Sequence, residues 1–245
     1  MPRICSGVLD DLARSFLFDL GNTLVQYFNR EEFPGILAQA VTEVQDYLSN
    51  MGLLAVSEEE MWAQIRLEDY ENKDYSVRPL EDRLSRIFRV ESTVLTRELS
   101  MAMCRRFMKP IFATGKSYED TNPALQGLRE RGFKLAVVSN ATWGSPASLW
   151  REELKRLGLD QRVDVAVFCR DVGWRKPAKQ IFEYTIAKLR SNIGDSVFVG
   201  DDPRWDIVGP RGIGMRAILI DRQQSRRDVD IERISDLREL LSLGL

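Results

Sequence analysis

The chain has 245 residues, 44% of them apolar and 29% charged, the balance of a globular protein with one large domain or a core carrying a smaller insert. Its formal net charge of -2 leaves no basic excess to neutralise phosphates, which argues against a nucleic-acid partner, and no apolar run is long enough to span a bilayer. The absence of histidine excludes Ser-His-Asp and Cys-His mechanisms and His-ligated zinc; the three cysteines, Cys5, Cys104 and Cys169, are too widely spaced to replace it and suit reduced thiols in a cytoplasm. Residues 1–14 carry acids and lack the continuous apolar core of a signal peptide, so a cytoplasmic location is expected.

The first predicted element is a buried strand over 15–18, stopped by Asp19 and a Gly21-Asn22 turn. From about 31 to 112 the spacing is helical throughout. One helix starts at Glu32-Phe33-Pro34 and ends at Met51-Gly52, a second starts at the capping box Ser57 to Glu60, a third opens at Pro79, and a fourth runs over about 93–107. This reads as a four-helix insert packed over something else. The pattern then alternates: a helix ending at Gly132, a strand at 133–138, a helix at 146–157, a strand at 163–168, a helix at 178–189, a strand at 196–199, a helix at 203–212, a strand at 215–220 and a final helix at 231–243. Alternation of this kind predicts βαβ units, a parallel sheet and right-handed crossovers. The boundaries expected from it are an α/β core of residues 1–27 and 113–245 and a helical cap of 28–112. The Arg-rich stretch 216–227 is interrupted by acids and reads as solvated surface.

Four polar signals follow strands or open helices: Asp19 with Thr23, Ser139-Asn140, Lys176-Pro177, and Asp201-Asp202 with Asp206. In a parallel sheet all strand carboxyl ends share one edge, so the four can converge. Such a set supports transfer through a covalent carboxylate intermediate. Asp19 would attack phosphorus, with Mg²⁺ screening the repulsion between carboxylate and phosphate. The oxygen ligands would be Asp19, a backbone carbonyl and Asp201. Thr23, Ser139 and backbone N–H groups of the Asp19 turn would bind phosphate oxygens, and Lys176 would neutralise the extra charge.

Phe18-Asp19-Leu20-Gly21-Asn22-Thr23-Leu24, the strand into Ser139-Asn140, Gly173 to Pro177 with Ile181-Phe182, and Val199-Gly200-Asp201-Asp202 with Asp206-Ile207 and Gly214-Met215 resemble, in the same order, the motifs of the haloacid dehalogenase superfamily. The resemblance is to the branch with a helical cap after the first motif. It implies a Rossmann-like α/β core with a parallel sheet, and a Mg²⁺-dependent phosphatase of a small phosphorylated metabolite. By the same resemblance Asp19 is the nucleophile and Lys176 the stabilising lysine. Leu20 (through its backbone), Thr23, Ser139 and Asn140 bind phosphate, while Asp19, the Gly21 carbonyl, Asp201 and, more remotely, Asp206 serve the metal. Asp202 stands where the family often has Ser. Family phosphatases usually carry a second Asp two residues after the nucleophile, as acid and base; here that residue is Gly21. Gly21 keeps open two alternatives: a phosphate- or partner-binding protein that has lost turnover, and a hydrolase of a non-phosphate bond. Cap residues expected near the pocket are Trp62, Arg66, Tyr70, Arg78, Arg83 and Arg106, with Trp143 at the sheet edge. The sequence is silent on oligomeric state.

Overall fold

The computed structural model describes residues 14–29, 31–68, 74–224 and 231–243. Cys5, Tyr70, the far end of the Arg-rich stretch and the expected leaderless N-terminus up to residue 13 lie outside the described residues.

The first strand, β1 (Ser15–Phe18), is buried along its whole length. An unbroken apolar run of this kind is what a strand covered on both faces requires. A two-residue strand, β2 (Val25–Gln26), leads out to four helices: α1 (Phe33–Asn50), α2 (Glu58–Leu67), α3 (Leu80–Ile87) and α4 (Arg97–Ala113). The chain returns through β3 (Lys116–Ser117), which pairs antiparallel with β2. The alternating part follows as α5 (Thr121–Glu130), β4 (Lys134–Ser139), α6 (Ala147–Arg156), β5 (Val165–Phe168), α7 (Cys169–Val172), α8 (Lys179–Leu189), β6 (Ser196–Gly200), α9 (Val208–Gly212), β7 (Arg216–Ile220) and β8 (Arg233–Ile234). The six-stranded sheet runs β5-β4-β1-β6-β7-β8, every pair parallel. β1 is therefore central, with Phe18 level with Val137 of β4 and Val199 of β6. The chain reverses its direction of travel across the sheet beside β1, and that is where open α/β sheets place their ligands.

The helical insert holds together on its own apolar stripes. α1 buries Ala40, Val41, Val44 and Leu48 and packs along α4, which buries Leu99, Met103, Phe107 and Ile111. Ser57 caps α2 as expected: its hydroxyl accepts from the Glu60 N–H at 3.3 Å, and Glu60 accepts from the Ser57 N–H at 3.1 Å. α4 starts later than the spacing suggested, because Thr96 is the residue that caps it, and it continues past Phe107 to Ala113.

Three further differences have local causes. The helix expected at 203–212 opens as a π turn, Pro203–Ile207, before α9. The helix expected at 231–243 is instead β8 followed by a 3-10 turn, Leu237–Ser242. The apolar spacing there is helical, but Arg233 and Ile234 pair with Leu219 and Ile220, and the Asp236–Glu239 capping box starts the turn only afterwards. Neither β2 nor β3 is long enough to show a period. No helix among the described residues is long and apolar enough to cross a membrane.

Candidate active site

The strand carboxyl ends bring Asp19, Ser139 and Asp201 to one edge. Asp19 continues β1, its N–H donating to the Val199 carbonyl at 2.9 Å. Ser139 closes β4 and its hydroxyl donates to Asp19 Oδ1 at 3.2 Å. Asp201 follows β6 directly. Lys176 arrives from the loop before α8, fully inside the protein, and its Nζ donates to Asp19 Oδ1 at 2.5 Å and to Asp206 Oδ1 at 2.7 Å. Its backbone is set by Asn140. The Asn140 side chain accepts from the Lys176 N–H at 2.8 Å and donates to the Lys176 carbonyl at 3.4 Å. Asn140 therefore acts as a clamp on the lysine as well as a wall of the cavity, a role its sequence position did not reveal.

Asp206 is brought in by the π turn. Its Oδ2 accepts from the Asp202 N–H at 3.0 Å, while Asp202 Oδ1 accepts from the Arg204 N–H at 2.8 Å. Gly200 is required here: a Cβ at that position would stand 2.4 Å from Asp206 Cγ. Asp202 thus serves as the cap of the turn that carries Asp206.

Oxygen atoms of Asp19, Asp201 and Asp206 lie within 4.8 Å of one another. Three carboxylates, Asp19 and Asp206 buried and Asp201 partly so, against one ammonium leave an excess of negative charge. Burial, with the charges of Asp19 and Asp206, pushes the Asp201 carboxyl up to about 8. Burial pushes Asp206 up to about 7, the Lys176 ammonium opposing and Asp19 adding to the shift. Lys176 moves up as well: its two carboxylates outweigh its burial. An all-oxygen donor set with surplus negative charge fits a hard divalent cation. Thr23 is fully buried, and its Oγ1 has no hydrogen-bond partner, an orphaned polar atom beneath the nucleophile turn. Leu20 is also fully buried.

A cavity of about 200 Å³ opens over this cluster, lined by Asp19, Gly21, Ser139, Asn140, Lys176 and the acids after β6. Thr23 and Leu20 do not line it. The other walls are Asn22, Tyr27, Phe28, Ile111, Thr142, Trp150, Arg175 and Trp205. Among the described residues of the insert, Ile111 and Phe28 reach the cavity, whereas Trp62, Arg66, Arg78, Arg83 and Arg106 do not. Trp143 also lies elsewhere, with Phe107 at 5.5 Å and the Arg83 guanidinium at 5.0 Å from its ring centre. The aromatic walls were missed because rings in turns and at helix ends carry the same sequence signal as core.

A family model of the haloacid dehalogenase-like hydrolases matches residues 13–214. The chain belongs to that family of hydrolases, and the α/β core with a helical insert after the first strand is its fold. Among curated proteins it is similar to the ribulose-1,5-bisphosphate 5-phosphatase of Halopiger xanaduensis, 30% identical over 137 residues that make up 50% of this chain and 56% of that protein. It is also similar to the glyceraldehyde 3-phosphate phosphatase of Methanothermobacter thermautotrophicus, 32% identical over 141 residues, 53% and 61% of the two chains. The matched part is little more than half the length of these relatives. A solved HAD phosphatase from Thermococcus onnurineus is 26% identical, with a TM-score of 0.65 over 94% of this chain and 96% of its own. A 2-haloacid dehalogenase from Pseudomonas syringae pv. Tomato DC3000 shares the fold at a TM-score of 0.70 and 23% identity, over 94% of this chain and 97% of its own.

Proposed function

We propose that the protein is a Mg²⁺-dependent phosphatase of small phosphorylated compounds that works through an aspartyl-phosphate at Asp19. The observation that carries this reading is the position of Lys176 Nζ, which bridges Asp19 Oδ1 and Asp206 Oδ1 while Ser139 donates to the same Asp19 oxygen. The ammonium adds positive charge beside the point of attack. The similarity to named phosphatases supports the choice of phosphorus as the electrophile.

Asp19 attacks with the oxygen that Lys176 and Ser139 leave free, forming a bond to phosphorus while the ester P–O bond breaks. The electron pair goes to the departing oxygen. Lys176 and Ser139, which line the cavity, are the donors for the phosphoryl oxygens. Water then adds to phosphorus, the bond to Asp19 breaks, and its electron pair returns to the carboxylate. Asp19, the Gly21 carbonyl and Asp201 would hold Mg²⁺, with Asp206 supporting them; the ion would screen the repulsion between carboxylate and phosphate. The insert between Tyr27 and Gly115 serves as the cap in this reading, and the paired β2–β3 ribbon at its two ends supports those boundaries.

The test is release of p-nitrophenol from its phosphate ester, with Mg²⁺ and with chelator. Metal-dependent turnover is the expected result. Phosphate binding without turnover under any metal condition would favour a protein that has kept the site and lost the reaction, the reading that Gly21 keeps open.

A further inference from the structure

We infer that this site serves phosphate esters whose leaving group departs as a stable anion, phenolates above all, and that the aromatic end of the cavity is the compartment that receives it. The inference rests on the aspartyl-phosphate reading and adds a substrate class to it.

When the ester bond breaks, the electron pair stays on the leaving oxygen. An alkoxide needs a proton at that moment, and a positioned acid is typically worth about 10²–10⁴-fold in rate. The described groups that line the cavity hold no side chain suited to that task. Lys176 is locked between two carboxylates, donating to Asp19 at 2.5 Å and to Asp206 at 2.7 Å. Ser139 donates to Asp19. The Tyr27 hydroxyl is buried beside Glu153, and burial together with that carboxylate drives it above the ordinary phenol range, so it is a poor acid. Asp19, Asp201 and Asp206 form the acidic cluster that suits a cation, and a bound cation would take their oxygens in the deprotonated form, leaving them no proton to give. Asp202 is engaged as a turn cap, its Oδ1 accepting the Arg204 N–H at 2.8 Å. The whole chain has no histidine.

Gly21 marks where such an acid would fit. It lines the cavity two residues after Asp19. A Cβ there would meet only Tyr27 Cδ2, at 3.8 Å, and the backbone is not left-handed. Space and conformation admit a side chain, and this chain does without one. The second observation is the wall itself. Four aromatic residues, Tyr27, Phe28, Trp150 and Trp205, line the cavity together with Ile111. Trp205 is held by a Tyr75 ring at 6.3 Å and carries the Arg204 and Arg175 guanidinium groups 4.2 and 5.5 Å from its centre. Rings of this kind receive a flat apolar group. At about 200 Å³ the cavity is below the roughly 300–1,000 Å³ usual for drug-sized ligands, which suits a phosphoryl group with a single ring. With a phenyl ester the reaction closes without an acid. Asp19 bonds to phosphorus and the aryl oxygen leaves with the pair as phenolate. Water then frees Asp19, and the water's proton passes to the released phosphate.

The experiment is single-turnover kinetics at saturating Mg²⁺ with phenyl phosphates spanning a range of phenol acidity, with acetyl phosphate and with ethyl phosphate. Mass spectrometry reads phosphorylation of Asp19 in each. In the wild type the rate should fall steeply as the leaving group becomes more basic, ethyl phosphate being slower than phenyl phosphate by more than about 10³-fold. Acetyl phosphate should react, but with a KM at least tenfold above that of phenyl phosphate, because it lacks the ring. Gly21→Asp should flatten the slope and Gly21→Asn, of the same shape without the proton, should not. Equal rates of Asp19 phosphorylation from ethyl and phenyl phosphate would overturn this inference while leaving the phosphatase reading intact. No phosphorylated Asp19 from any ester would overturn the phosphatase reading itself. A KM for acetyl phosphate equal to that for phenyl phosphate would overturn the aromatic compartment.

Discussion

Lys176 decides the electrostatics of the site, because it is the one ammonium among the described residues that meets a cluster of three carboxylates, two of them buried. Removing one partner of such a buried pairing typically costs about 3–5 kcal/mol, since the remaining charges are left uncompensated. Lys176→Met should therefore unfold at markedly lower temperature, and by more at pH 8, where Asp201 and Asp206 are losing their protons, than at pH 5. Parallel melting curves at the two pH values check this; an equal loss at both would mean that packing, not charge, is what the lysine supplies. Asp19→Asn removes the proposed nucleophile and also relieves like-charge repulsion on Asp201 and Asp206. It should abolish turnover with a melting temperature at or above wild type, measured by calorimetry beside the p-nitrophenyl phosphate assay. At this scale the sequence was informative about the polar groups, because four polar signals, each after a strand or at a helix start, have few other reasons to recur in this order along one edge. It was uninformative about Tyr27, Phe28 and Trp205, whose rings could equally have been core, and it misdirected attention to Trp143 and to the arginines of the insert.

The elements act on the site through the two ends of the nucleophile turn. One end is anchored by strand register: the Asp19 N–H bonds to β6, and Phe18 is flanked on both sides. The other end is strapped from across the core. Arg222, just past β7, donates to the Thr23 carbonyl at 2.6 Å and to both oxygens of buried Asp120 at 2.8 and 3.1 Å, its guanidinium 3.7 Å from the Tyr118 ring centre. Asp120 also accepts the Leu237 N–H at 2.8 Å, so the 3-10 turn after β8 is tied to the same knot. Hydrogen bonds to charged groups contribute about 1.5–3 kcal/mol each. Arg222→Met should lower kcat by roughly 10-fold or more with KM little changed, because the turn is loosened while the binding groups remain; Arg222→Lys should recover part of the loss. Steady-state kinetics on the two variants decides, and an unchanged kcat in Arg222→Met would rule the strap out. Gly200→Ala should fail more severely, since the added methyl group occupies the place of the Asp206 carboxyl. Strands and helices of normal length were legible from periodicity. The strap was not, because Arg222 lies in an Arg-rich stretch that reads as surface, and the last element was misread because pairing with β7 overrides its helical spacing.

In the whole molecule the insert is fastened to the α/β core at a second place besides the β2–β3 ribbon. The Val77 N–H donates to the Gly173 carbonyl at 3.0 Å and the Arg175 N–H to the Tyr75 carbonyl at 2.8 Å. Arg170 meets Glu81 of α3 through two bonds of 3.0 Å. The stability of the folded state depends as well on how the acidic cluster is protonated. Asp201 and Asp206 have native values of about 8 and 7, against 3.8 when unperturbed. The folded protein thus binds more protons than the unfolded chain between about pH 4 and 8, and stability falls as pH rises through that window. The carboxyls held low by partners, Glu68, Glu152, Glu232 and Asp236 among them, act in the opposite sense, but only below their ordinary range, and most are exposed enough to contribute little. The metal-free protein should therefore be most stable near pH 5 and lose several degrees of melting temperature by pH 8.5, each kcal/mol corresponding to about 2–4 °C for a chain of this size. A divalent cation that binds only the folded state adds RT ln(1 + [L]/Kd), and protons compete with it. Mg²⁺ should raise the melting temperature strongly at pH 8 and hardly at all at pH 5, reversing the slope seen in chelator. Asp201→Asn should flatten the metal-free slope and remove most of the response to Mg²⁺. Melting curves across pH 5 to 8.5, with and without Mg²⁺, test both statements; a metal-free protein that gains stability toward pH 8 would show that the three carboxylates are not a charge excess awaiting a cation.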